Sequence, residues 1–115
     1  MVRAIIRGIH DHPQGREYHV AAGSSVLRVL LTFHALDRMG RWGLTDRKVV
    51  QALLGPEEVL RGHRGRFIAH RRSGEHVVRV VDEYQARMPV VITVYCPYAE
   101  RYFRGGGTYE DRVCS

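Results

Sequence analysis

At 115 residues, with 44% hydrophobic and 26% charged content, the chain has the size of one domain with a modest two-layer core. No window approaches the ~20 consecutive apolar residues of a membrane span, and MVRAIIRGIHDHP lacks the apolar run of a secretory signal, so a cytoplasmic protein with no membrane partner is expected. A formal charge of +6 points to an anionic partner, nucleic acid first, and 17 of the 18 basic residues are arginine, Lys48 being the exception.

Taken in order, residues 1–25 read as an N-terminal extension or hairpin, with Val2–Ile9 and Glu17–Ala22 as strands around the turn signal Asp11-His12-Pro13-Gln14-Gly15. A domain over 26–115 follows. Val26–Leu31 reads as a short strand. Thr32 is a good N-cap for a helix over Phe33–Arg41, and Thr45 for a second over Asp46–Leu54, which Gly55-Pro56 ends. Three hairpin-linked strands then follow at Arg66–Arg71, His76–Tyr84 and Val90–Tyr95. The last of these is an unbroken β-branched and aromatic run between prolines, which predicts a strand buried on both faces at the centre of a sheet. The fold class expected is α+β: a strand, two short helices, then a three-stranded antiparallel meander with the helices packed on one face.

Strand alternation places Val77, Arg79 and Val81 on one face, and Val91, Thr93 and Tyr95 on one face of the next strand. An arginine between valines is costly unless it is paired or lines a cleft, so Arg79, Thr93 and Tyr95 are candidates for an anion-binding patch. His34 falls in the first turn of its helix. From Arg61 to Arg72 there are five arginines (Arg61, Arg64, Arg66, Arg71, Arg72), two histidines and no acid, a pattern suited to a phosphate backbone. His10, His12 and His19 invite a metal hypothesis, but the Cys–His spacings of structural zinc are missing, so neither metal nor cofactor is expected. Cys96 and Cys114 make no disulfide framework.

The run Thr32-x-His34-Ala35-Leu36-x-Arg38-Met39-x-Arg41-x-Gly43-Leu44-Thr45 resembles the opening helices of a family of small, uncharacterised prokaryotic proteins catalogued as a domain of unknown function. Leu53-x-x-Pro56-Glu57, Val78-x-Val80-Val81, Val91-x-Thr93-Val94-Tyr95 and Tyr98-x-x-x-Arg101-Tyr102-x-x-Gly105-Gly106 extend the resemblance over about Leu30 to Val113. At greater distance it reaches RelE-like toxins and the barnase–EndoU–colicin–RelE ribonucleases. The resemblance implies a RelE-like sheet and a metal-independent endoribonuclease of toxin type, in which the ribose 2′-OH attacks the adjacent phosphate and an antitoxin-like protein restrains the enzyme. On that reading His34 is base or acid, Arg41 and Arg79 stabilise charge, and Thr93 and Tyr95 bind the phosphate. Tyr98, Arg101 and Tyr102 would stack on or clamp the RNA. The alternative is a non-catalytic RNA- or protein-binding module of the same fold. A third reading is a homodimer formed through an exposed strand edge.

Overall fold

The computed structural model describes residues 3–100 in full and the backbone of 101, 103–104 and 108–109. Its strands are β1 (Ala4–His12), β2 (Gly15–Ala22), β3 (Ser25–Thr32), β4 (Glu58–Arg61), β5 (Phe67–Ser73), β6 (His76–Gln85) and β7 (Met88–Tyr95), with two-residue strands β8 (Phe103–Arg104) and β9 (Thr108–Tyr109) at the end. Helices α1 (Phe33–Arg41) and α2 (Asp46–Leu54) lie between β3 and β4. The seven long strands form one sheet in the order β1-β2-β3-β7-β6-β5-β4. Every pairing is antiparallel except β3 with β7, which is parallel.

This overturns the expected α+β, RelE-like arrangement on a three-stranded meander. Residues 4–22 form a hairpin whose second strand pairs with β3 along its whole length, so the sheet continues through the N-terminus. The joint is tight: any Cβ at Gly15 would collide with the Leu31 carbonyl. A further strand, β4, appears between α2 and β5, where the sequence reading places none. Four residues are too few for alternation to show.

Both helices cover the residues that their caps predict. The Thr32 hydroxyl accepts the Ala35 N–H at 3.1 Å and donates to the Ile92 carbonyl at 3.2 Å, which ties the start of α1 to β7. Thr45 caps α2 by accepting the Lys48 N–H at 3.2 Å. The helices cover one face of the sheet. There Val20, Val29, Leu31, Val78, Val80, Val91 and Val94 pack against Ala35, Val49, Val50, Ala52 and Leu53. Each valine or leucine among them contributes about 1.5–3 kcal/mol by leaving water.

β7 is the middle strand of the seven, as its apolar run predicts. The alternation along it is broken, however. Val81 pairs with Thr93 and Asp82 with Val91, which leaves Ile92 as the extra residue of a β-bulge. Val91 therefore joins Val94 under the helices, while Tyr95 packs with Ile68, Val77, Val81 and Ala99 on the second face.

Candidate functional site

The second face carries the chemistry. Register pairing sets Glu58 opposite His70, His70 opposite Arg79, and Arg79 opposite Tyr95, so one polar row crosses β4, β5, β6 and β7. Paired residues of neighbouring strands point to the same side. Arg79 and His70 are fully buried. The Arg79 guanidinium carbon lies 5.1 Å from the centre of the Tyr95 ring, a cation–π stack in a desolvated setting. Burial, and then the Arg79 charge, push the His70 imidazole down to about 3, so it is neutral at physiological pH. On the helix-covered face, Asp82, opposite Phe67 on β5 and Val91 on β7 and only 3% exposed, is pushed up to about 6 by burial.

Beside this row opens a pocket of about 580 Å³, lined by Gly62, His63, Arg64, Arg66, Ile68, Val81 and Thr93. Its wall is the β4–β5 connection, a single 3-10 turn over His63–Gly65. The Gly62 N–H donates to the Arg66 carbonyl at 2.8 Å, and the Arg66 N–H to the His63 carbonyl at 3.2 Å, so the loop closes on itself. Arg64 sits there at φ 60°, ψ 37°, a left-handed conformation that costs a non-glycine residue about 1 kcal/mol. The Arg66 Nε lies 3.9 Å from the Glu83 carboxylate, a half-exposed and loose ion pair. The pocket combines an apolar floor (Ile68, Val81), one hydroxyl (Thr93) and a basic rim. That set suits a flat, partly apolar group joined to an anion.

The predicted site residues divide between the two sides of the sheet. Arg79, Thr93 and Tyr95 come together on the second face. His34 and Arg41 lie exposed on α1, which packs against the opposite face, and Arg41 is held by Asp37 at 2.9 Å one helical turn away. The basic stretch divides as well. Arg64 and Arg66 line the pocket and Arg61 is exposed at the end of β4. Arg71 donates to the carbonyl of Gly55, the residue that caps α2, at 2.7 Å. The Arg72 N–H donates to the Glu57 carboxylate at 2.6 Å. Tyr98 is exposed and stacks on His76, ring centres 4.5 Å apart. Tyr102 and the side chain of Arg101 lie outside the described residues.

Sequence reading missed the buried His70 and the half-buried Glu58 as members of the polar row, Asp82 as a buried acid on the helix side, and His63 as a pocket residue. For His70 the signal was present: it alternates onto the face of Ile68. Among the described residues no three His, Cys, Asp or Glu side chains gather in a metal-binding arrangement, and no helix is long and apolar enough to cross a membrane.

The family model of the domain of unknown function DUF4258 matches residues 31–96. The chain belongs to this family. The matched span of the DUF4258 domain runs from the end of β3 through β7, so it contains both helices, the polar row and every residue lining the pocket. The hairpin β1–β2 lies outside it. No curated protein and no solved structure matches the chain.

Proposed function

We propose that this protein is a non-catalytic module for single-stranded RNA within its DUF4258 domain, with the pocket on the second face as the point of contact. The observation that carries this reading is the pairing of a basic rim, Arg64 and Arg66, with an apolar floor, Ile68 and Val81, in a pocket of about 580 Å³, a setting that suits an unstacked base. The net charge of +6 supplies the long-range attraction. Thr93 offers a hydroxyl for a base edge or the ribose. Arg79 and Tyr95 lie in the buried row beside the pocket, on the strands that carry Val81 and Thr93. The binding form is favoured over the cleaving form because His34 and Arg41, the acid–base and charge-stabilising candidates, lie across the sheet from Arg79, Thr93 and Tyr95.

The test is fluorescence anisotropy of a labelled single-stranded RNA titrated with the protein over a salt series. Affinity is expected to fall linearly with salt on logarithmic axes. Arg64→Ala and Arg66→Ala should each flatten the slope by about 0.7, the value for one lost single-strand phosphate contact. No binding at low salt, or a slope unchanged in both variants, contradicts the proposal.

A further inference from the structure

A second pocket, of about 470 Å³, opens between Val26, Leu27 and Arg28 of β3 and Ala86, Arg87 and Met88 at the β6–β7 turn. Arg61 lies opposite Phe67, Phe67 opposite Asp82, Asp82 opposite Val91, and Val90 opposite Leu30. The β4–β5 loop, the β6–β7 turn and the start of β3 therefore share one end of the sheet. The notch has a cause in the sequence. β3 and β7 pair in parallel at Leu30–Val90 and Leu31–Val91. Pro89, the residue before, has no N–H to donate, so the ladder does not extend past it and the start of β3 faces the turn across a gap. Val29 and Leu31 pack under the helices, so Val26 and Arg28 point to the second face, the side of the first pocket.

The two pockets match in chemistry. Each joins an apolar floor to two arginines: Ile68 and Val81 with Arg64 and Arg66 in the first, Val26, Leu27 and Met88 with Arg28 and Arg87 in the second. Arg28 and Arg87 are exposed, and neither enters an ion pair among the described residues. The pockets match in backbone strain too. Arg64 (φ 60°) and Ala86 (φ 56°) are the non-glycine residues of the described chain held in the left-handed region, and each lines one pocket. Such conformations persist where the surroundings over-determine them, and they gather at ligand sites.

We infer that the notch between β3 and the β6–β7 turn is a second nucleotide subsite, and that one strand of RNA runs from the Arg64–Arg66 pocket across the turn into it. The inference rests on the RNA-binding reading above and extends its footprint beyond the matched DUF4258 span, to the start of β3. An unstacked base lies against Val26, Leu27 and Met88, and Arg28 and Arg87 hold the flanking phosphates. The likeness of the two pockets favours a ligand that repeats a flat group joined to an anion, as a nucleotide chain does. Strand spacing and rise set the pockets roughly 15 Å apart. That is no more than about five nucleotides at the 3.4 Å spacing of a stacked strand, so a short RNA fills both pockets while a dinucleotide fills one.

The experiment is fluorescence anisotropy of a labelled single-stranded RNA octamer and a labelled dinucleotide over a salt series. The proteins are wild type, Arg28→Ala, Arg87→Ala, Val26→Ser and, as a control of equal charge loss on the exposed side of α2, Arg47→Ala. For the octamer, Arg28→Ala and Arg87→Ala should each flatten the logarithmic salt slope by about 0.7 and weaken binding roughly fivefold at about 0.1 M salt. Val26→Ser should weaken it about threefold with the slope unchanged, because only apolar contact is lost. Arg47→Ala should stay within about twofold of wild type, since it makes no phosphate contact. The dinucleotide should bind wild type on the order of 10-fold or more below the octamer, having one pocket to fill. Wild-type behaviour of Arg28→Ala and Arg87→Ala, with Arg64→Ala still impaired, overturns this inference and leaves the binding reading standing. A loss in Arg47→Ala as large as theirs marks attraction by net charge alone and overturns it too, as does a dinucleotide bound as tightly as the octamer. Displacement of the octamer by a poly-aspartate peptide that Arg28→Ala no longer binds would make the notch a protein-docking surface, against the inference. No octamer binding by wild type overturns both readings.

Discussion

On the helix-covered face β6 contributes Val78 and Val80 and β7 contributes Val91 and Val94; on the opposite face the same strands contribute Arg79, Thr93 and Tyr95. One backbone thus carries two sets of rules. The first face holds the fold by transferring aliphatic groups out of water. The second keeps a guanidinium and an imidazole fully buried in one row, which an apolar row would do at lower cost in desolvation. The contrast teaches that the second face is shaped by something other than stability. In this account that something is RNA, met at the pocket beside the row.

The largest effect that separates the faces is expected at neighbouring positions of β6. Arg79→Ala should destabilise by about 3–5 kcal/mol, because the buried row loses its cation and the Tyr95 ring its partner. Val80→Ala, on the helix side, should cost about 2 kcal/mol. Denaturant midpoints of the two variants decide it, and equal losses would erase the distinction drawn between the faces.

Next come the buried titrating groups. The folded state holds His70 near 3 against the ordinary histidine value of 6.5, so below pH 6.5 the unfolded chain binds the extra proton and stability falls as pH drops towards 3. Asp82 works in the opposite sense. Its folded value near 6 lies above the ordinary 3.8, so the protonated native state is favoured and stability falls as pH rises through that window. Relative to wild type, His70→Gln should therefore gain on acidification from pH 7 to 4, and Asp82→Asn should gain on going from pH 4 to 7. Denaturant midpoints at the two pH values check both signs.

Smaller effects follow. Thr32→Ala removes the cap of α1 and its tie to Ile92, and should cost about 1 kcal/mol in thermal or denaturant unfolding. Arg64→Gly relieves a left-handed backbone and should gain roughly 0.5–1 kcal/mol while weakening RNA binding, so stability and function would move apart at one residue. Arg41→Ala, which breaks only an exposed pair with Asp37, should change stability by less than about 0.5 kcal/mol.

Much of the helix layer was legible in the sequence because its signals are local. Thr32, Thr45 and Gly55-Pro56 bound α1 and α2 at the residues observed. The central place of β7 was legible from its composition. The extent of the sheet was not. Whether Glu17–Ala22 stays with Ser25–Thr32 depends on pairing between segments, and β4 offers only Val59 and Leu60 as a pattern. Arg79 stood out as a charge among valines, and Tyr95 and Thr93 came with it. The bulge at Ile92 was invisible, since nothing in Val90–Tyr95 marks which residue is extra, and it moved Val91 to the other face. His34 and Arg41 were grouped with Arg79 by resemblance alone, and three-dimensional packing sets them on the other side of the sheet.

The most direct test of the central claim, that the second face and not the helix layer meets RNA, is the affinity of two double variants for one labelled single-stranded RNA. Arg64→Ala/Arg66→Ala should weaken binding roughly 20-fold at about 0.1 M salt, given about 0.7 of a log unit per lost phosphate contact for each tenfold change in salt. His34→Ala/Arg41→Ala should stay within about twofold of wild type, since these residues make no phosphate contact in this account. The reverse pattern, with the pocket variant intact and the helix variant impaired, would contradict the account and return the site to α1.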